Sequence, residues 1–337
     1  MKALRFLGNG KLELVDIARP QASGDEVLVK VHACAMCSTD VNYRFLAPEP
    51  LPVIPGHEIG GEVVEVDRPQ YVKSSERVAL TVHAPCGACE PCRRGAGAFC
   101  ERLSKYGSLR DGGNAEFVLA KETSCLPLPH DFSYEDGALI GDTLGTAWHG
   151  INKLGILPGD TLLVVGGGPI GIACARIAMW LGADVTLSEV QAYRIKLARD
   201  LKIPRILNPA NDDMPDATAE LTDGKGFDHV AECGGNERTF HTALEAARIG
   251  GKIVLVSMVK SAPISPAQVV CPKELTIMGS WNFNIREYRA IVRFYQANRD
   301  IVNLITHRFP LEQAEKAYAL FITGNTGKVV FEPGEGR

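Results

Sequence analysis

Four cysteines stand at short, regular intervals, Cys86-x2-Cys89-x2-Cys92-x7-Cys100. Three thiols on a tight loop with a fourth within reach suit the four tetrahedral thiolate bonds of a zinc ion, and Gly87, Gly95 and Gly97 let the loop bend around it. With every position filled, such an ion is structural, and chemistry needs another centre. A second ligand set lies in Cys34-Ala35-Met36-Cys37-Ser38-Thr39-Asp40 and Pro55-Gly56-His57-Glu58. Cys37, His57 and a carboxylate form a borderline-soft set that zinc accepts with a position left open. The third protein ligand is Glu58, next to His57, or Asp142 in Ile140-Gly141-Asp142-Thr143-Leu144-Gly145.

A third constellation follows the apolar run Leu162-Leu163-Val164-Val165. Gly166-Gly167-Gly168-Pro169-Ile170-Gly171 comes next, and a helical pattern runs on through Ala175, Ile177, Ala178 and Leu181. Strand, G-x-G-x-x-G and helix in that order are a dinucleotide fingerprint. The glycines let backbone approach a pyrophosphate, which the free N–H groups at the helix start stabilise. Gly166, Gly168, Pro169, Ile170 and Gly171 are therefore expected cofactor contacts, together with Ser257 at the end of the strand Lys252 to Ser257. Glu189, at the end of the second strand, is placed to accept ribose hydroxyls and repel a 2'-phosphate, so NAD is favoured over NADP. Arg194, on the helix that follows, is the residue that could fold back toward a phosphate.

These side chains need two scaffolds. From residue 1 to about 130 the chain has short β-type runs such as Glu26 to Val31 and Glu62 to Val66, separated by Gly and Pro turns. From about 150 to 280 apolar strands (Thr161 to Val165, Asp184 to Leu187, Phe227 to Glu232, Lys252 to Ser257) alternate with helical segments (169 to 181, 191 to 201). That alternation means βαβ units and a parallel sheet. After Trp281 come helices and a closing strand near Lys328 to Phe331.

The whole chain of 337 residues, 45% hydrophobic and 23% charged, can bury a sizeable core and is not a disordered sequence. Lys+Arg 36 against Asp+Glu 40 leaves a net charge of -4, with no overall attraction to nucleic acid or an anionic membrane. The start, Met1 to Arg5 followed by Gly8, Asn9 and Gly10, has no apolar run long enough for an export signal, and a cytoplasmic location is expected. A reducing compartment also favours metal binding over disulfides for clustered thiols.

Taken together, the motifs resemble the zinc-containing medium-chain alcohol dehydrogenases, in their polyol and threonine dehydrogenase branch. The likeness runs from Met1 to about Phe331 and also rests on Asp111-Gly112-Gly113-Asn114-Ala115-Glu116 and Gly327-Lys328-Val329-Val330. It implies an α/β fold in which a GroES-like β-rich catalytic domain (1–145 and 283–337) carries an inserted Rossmann doubly wound parallel sheet that binds NAD (146–282). By the same resemblance the catalytic zinc falls to Cys37, His57 and Asp142, with Glu58 exchangeable or behind them. Thr39 takes the substrate proton, Asp40 supports the zinc site, His83 is a pocket histidine, and Thr146 and Ile170 touch the nicotinamide ring.

Asn42 departs from the family, standing where many relatives have a proton-relaying histidine; an amide does not titrate near neutral pH. His83, Asn42, Trp148, Trp281 and Asn282 are the candidate pocket residues. Their polar mixture points to a secondary alcohol of polyol, sugar or amino-alcohol type, oxidised by NAD to the ketone. A threonine 3-dehydrogenase-like or simple alcohol dehydrogenase activity is the alternative. A dinucleotide-binding paralogue without turnover is the reading from another class. A homodimer or homotetramer joined at an edge strand near residues 270 to 280 is the assembly the resemblance implies.

Overall fold

A computed structural model of the chain describes residues 1–334, in two compact units. The first comprises Met1–Gly145, Phe283–Arg289 and the stretch from Val302 on; the second comprises Thr146–Asn282 and Ala290–Ile301.

In the first unit β1 (Lys2–Gly8) and β2 (Lys11–Asp16) make an antiparallel hairpin. The strand β3 (Glu26–Ala35) then pairs antiparallel with β4 (Glu58–Val66), which pairs with β5 (Arg77–Leu80). The strand β6 (Phe117–Lys121) returns to β3, and β7 (Cys125–Pro127) to β5. Alternating Val27, Val29 and Val31 turn one face of β3 into a buried cluster with Ile59, Val63, Val78 and Leu80, as the two-residue period of a strand requires. A helix, Tyr134–Leu139, starts at a capping box between Ser133 and Asp136. It approaches the sheet closely because Gly60 and Gly141 carry no side chain: a Cβ would run into Tyr134 O at the first and Leu80 O at the second.

The second unit holds a parallel sheet made of β8 (Thr161–Val165), β9 (Asp184–Ser188), β10 (Arg205–Leu207), β11 (Phe227–Glu232), β12 (Ala247–Leu255) and β13 (Thr276–Gly279). Their spatial order is β10-β9-β8-β11-β12-β13, the doubly wound order with its switch point between β8 and β11. Leu162, Leu163, Val164 and Val165 are all buried, the continuous apolar run expected of a strand covered on both faces. Register levels the ends: Val165 pairs with Ser188 on one side and Glu232 on the other, and Glu232 with Leu255. The strand expected at Lys252 to Ser257 runs instead from Ala247 to Leu255, which leaves Ser257 two residues beyond its end.

The last strands, β14 (Ile305–Phe309) and β15 (Lys328–Phe331), complete the first unit's sheet, β15 pairing antiparallel with β3. Residues 290–301 group with the second unit, whereas the sequence reading kept 283–337 together. The cause is packing and charge: Phe294 lies 6.3 Å from the Trp148 ring and 5.9 Å from Trp180, and Asp300 takes Arg176 in a bidentate pair. Among the described residues no helix is long and apolar enough to cross a membrane.

Candidate metal centres and dinucleotide cradle

Cys37, His57, Glu58 and Asp142 come together in the first unit, all buried, with one ligand atom of each within 4.8 Å of the others. Cys37 follows the end of β3, the turn before β4 delivers His57, and Glu58 is the first residue of β4. Asp142 hangs from a π-helical turn, Ile140–Leu144, between two α-helical stretches; such turns re-aim a side chain that a regular helix would point elsewhere. A second π-helical turn, Val41–Phe45, follows Asp40 and carries Asn42, which is exposed.

His57 sits between two carboxylates. Its Nδ1 lies 3.2 Å from Asp40 Oδ1 and its Nε2 lies 3.5 Å from Asp142 Oδ2. A carboxylate on Nδ1 fixes the tautomer that offers Nε2 to a metal. Burial works against a charge on His57, yet Asp40 and hydrogen bonds to Asp142, Asp40 and Cys37 hold its pKa well above the usual histidine range, so a metal binding at Nε2 displaces a proton. Burial likewise opposes the Asp40 carboxylate, but His57, Arg44 and Lys328 outweigh it and keep that group low. Arg44 donates to Asp40 Oδ1 at 2.6 Å. The Thr39 hydroxyl lies beside Cys37, 3.1 Å from its sulfur.

Behind this group the structure brings in two residues that sequence reasoning gave no role. Lys328 is buried and donates to Glu58 Oε1 and, at 3.1 Å, to Met36 O; the Thr143 hydroxyl donates to Glu58 Oε2 at 2.9 Å. Burial pushes Glu58 up to about 7, with Lys328 pulling against it and Asp142 adding to it. Burial lowers Lys328 in turn, but Glu58, Cys37 and Asp142 together hold it above its ordinary value. The donors on both oxygens favour reading the pair as ammonium and carboxylate. A lysine inside the apolar strand Lys328 to Phe331 is the signal that could have found this partner.

His83 is 4% exposed, and its Nε2 has no protein partner. Burial, then Lys105, lower it to about 4, so it stays neutral. It borders a cavity of about 340 Å³ that Thr81, Thr123, Cys92, Phe283 and Ile285 also line. Trp148, expected among the pocket residues, is buried in the second unit against Trp180 and Phe294, because its indole fills an aromatic cluster there.

The four loop cysteines also converge. Sulfur separations are 3.9 Å for Cys86–Cys92, 3.3 Å for Cys89–Cys92 and 3.8 Å for Cys89–Cys100. Thiolates on a tetrahedral zinc stand about 3.8 Å apart, whereas a disulfide would need about 2 Å. N–H groups of Ala88 and Cys89 and the side chain of Arg102 bring Cys86 down to about 5. Burial and neighbouring thiols push Cys92 up to about 12, a proton that metal binding would displace.

In the second unit Gly166, Glu189, Cys233 and Val256 follow directly on the levelled strand ends. Gly166 has φ +102°, and a Cβ there would lie 2.8 Å from Gly234 N, so only glycine fits. Gly168 caps the helix Pro169–Trp180 with no side-chain hydrogen bond and open space where a Cβ would be, which leaves the first N–H groups for a phosphate. Ile170 and Gly171 lie in that first turn. Glu189 accepts from Gly167 N at 2.8 Å, Val190 N at 2.7 Å and Gln191 N at 2.8 Å, so most of the capacity expected for ribose hydroxyls already serves the turn. Arg194 is half-buried, its Nε without a protein partner. Thr146 is buried at the start of this unit, and the Ser257 hydroxyl donates to Glu232.

A parallel sheet with a phosphate-accepting turn, in a chain whose other unit gathers two sets of metal ligands, defines a metal- and dinucleotide-dependent oxidoreductase. Residues 23–130 match the alcohol dehydrogenase GroES-like domain family, and residues 169–297 match the zinc-binding dehydrogenase family. The chain is 33% identical to the L-threonine 3-dehydrogenase of Burkholderia ambifaria, over 98% of this chain and 99% of that one. Its structure resembles the alcohol dehydrogenase of Thermus sp. ATN1 (TM-score 0.91, 26% identity, 98% and 99% covered). It also resembles galactitol-1-phosphate dehydrogenase of Escherichia coli (TM-score 0.88, 25% identity, 99% and 100% covered). The chain belongs to the zinc-containing medium-chain alcohol dehydrogenase family. It is a zinc-dependent oxidoreductase of the alcohol dehydrogenase type, and zinc and a nicotinamide dinucleotide are the family's cofactors.

Proposed function

We propose that this enzyme oxidises a secondary alcohol bearing a neighbouring polar group, a polyol, sugar or amino alcohol, to the ketone with NAD. The observation that carries the reading is the buried convergence of Cys37, His57, Glu58 and Asp142. Bound there, zinc supplies a Lewis acid for the carbinol oxygen, and the dinucleotide supplies a hydride acceptor. Cys37, His57 and Asp142 would hold the metal, and Glu58, whose two oxygens already accept from Lys328 and Thr143, would stand behind them. Asp40 keeps the His57 tautomer. The Thr39 hydroxyl accepts the substrate's proton and passes it on, a relay that its position beside Cys37 permits. His83, neutral and short of a partner at Nε2, offers the neighbouring polar group a hydrogen bond.

Glu189, held beside the glycine turn, sets the preference for NAD by repelling a 2'-phosphate. The four loop cysteines hold the structural zinc. The enzyme works in the cytoplasm as a homodimer or homotetramer, with β13 left as a sheet edge for a partner copy, and its net charge of -4 gives it no pull toward nucleic acid or membrane. L-threonine is the amino alcohol to try first, given the L-threonine 3-dehydrogenase at 33% identity.

The test is kcat/KM with NAD over a panel of L-threonine, polyols, sugar alcohols and straight-chain alcohols, on protein of counted zinc content. Simple alcohols outperforming every polar substrate would overturn the substrate class. Asp142→Asn is expected to lose the second zinc and activity with its circular dichroism unchanged, and retention of both would remove Asp142 from the site.

A further inference from the structure

Glu232 closes β11 and is 0% exposed. Its Oε1 accepts from Gly234 N at 2.9 Å and Gly235 N at 2.8 Å, and its Oε2 accepts from the Ser257 hydroxyl. Its backbone carbonyl takes Val256 N at 3.0 Å and Ser257 N at 3.2 Å. One side chain therefore ties the Cys233–Gly235 turn to the end of β12. That turn is the surface against which Gly166 packs.

The arrangement mirrors Glu189 across the first strand of the sheet. Glu189 follows β9 and takes the two N–H groups after itself plus Gly167 N; Glu232 ends β11 and takes the N–H groups two and three residues on plus a hydroxyl. A dinucleotide crossing the sheet at its switch point lays adenosine over the β9 side and nicotinamide over the β11 and β12 side. Glu232 thus stands on the nicotinamide half. Among the described residues no lysine, arginine or histidine pairs with it, so its charge is met only by dipoles. An oxidised nicotinamide ring is a cation, whereas the reduced ring is neutral, so a carboxylate without a counter-ion distinguishes them.

We propose that Glu232 is the positioning residue of the nicotinamide half, holding the Cys233–Gly235 turn, and that its uncompensated charge strengthens binding of the oxidised relative to the reduced dinucleotide, compared with an uncharged residue at that position. The inference rests on the dinucleotide reading of the Gly166 to Gly171 turn. It needs no particular alcohol.

Dissociation constants of zinc-replete enzyme for NAD+ by calorimetry and for NADH by its fluorescence test it. Glu232→Gln, which keeps shape and an acceptor oxygen, is expected to raise the ratio of the NAD+ to the NADH constant about fivefold. Glu232→Asp keeps the charge but falls a methylene short of the two N–H groups, and is expected to weaken both forms alike with the ratio unchanged. An unchanged ratio in Glu232→Gln overturns the charge effect. Unaltered affinities in Glu232→Asp overturn the positioning role, and they do so even if Glu232→Gln does not fold. Unmodified enzyme binding neither form would instead overturn the dinucleotide reading, and the inference with it.

Discussion

Replacing Lys328 by Met, a side chain of similar length and shape, deletes one charge from the interior of the first unit. Lys328 is 3% exposed and Glu58 0%, so neither can turn toward water. After the change Glu58 keeps only the Thr143 hydroxyl at 2.9 Å, and Met36 O loses its donor. Severing a buried pair costs about 3–5 kcal/mol, because the survivor's desolvation is no longer offset by its counter-charge. For a unit of this size each kcal/mol moves the melting temperature by about 2–4 °C, which gives a fall of about 6–20 °C. Adding Glu58→Gln removes the orphaned charge, and the double variant is expected to recover at least half of the loss. The assay is scanning calorimetry on all four corners of the cycle, with zinc counted in each preparation so that metal loss is not mistaken for the pair. A Lys328→Met enzyme melting within about 2 °C of the parent, or a double variant no more stable than Lys328→Met, would refute the reasoning.

Two further outcomes follow from other parts of the chain. Cys92→Ser breaks the four-thiolate set and is expected to remove one zinc per subunit, counted by mass spectrometry, while the ion at the Cys37 cluster stays. Asp228 accepts from Thr161 N and Oγ1, both at 2.8 Å, and from Arg248 Nε at 2.7 Å. Burial would raise it, but those three donors bring it down to about 2. Its folded value lies below its unfolded one, so the stability it contributes is present above about pH 4 and lost as pH falls toward 2. Discounted for partial exposure, Asp228→Asn is expected to cost about 1–2 kcal/mol at pH 7, with about half of the gap gone at pH 3 in thermal melts.

Much of this molecule was legible before the structure because its chemistry is local in sequence. The thiols at 86, 89, 92 and 100 share one loop, and strand, glycine turn and helix from 161 to 180 follow without interruption. The Cys37 cluster is different. Its members come from three places along the chain, and no short-range pattern says how Glu58 and Asp142 are placed against Cys37 and His57; that placement follows from the approach of the Tyr134–Leu139 helix and the turn after it to β4 and β5, which Gly60 and Gly141 permit. The π-helical turns carrying Asn42 and Asp142 are equally silent in a helical pattern, since one extra residue in a turn leaves the apolar spacing nearly intact.

Three buried glutamates show where local reading stops. Glu58, Glu189 and Glu232 each stand at an end of a largely apolar strand, a position at which a carboxylate can meet N–H groups or cations arriving from elsewhere. Their placement is visible in the sequence; their partners are not. Glu58 takes Lys328 from across the chain because β15 lies beside β3 and β3 beside β4. Glu232 takes Ser257 because β11 and β12 are adjacent in register, and it comes level with Ser188, one residue before Glu189, because β8 lies between β9 and β11. Strand order therefore sets the same residue type beside a cluster of metal-ligand side chains in one unit and at two neighbouring strand ends in the other.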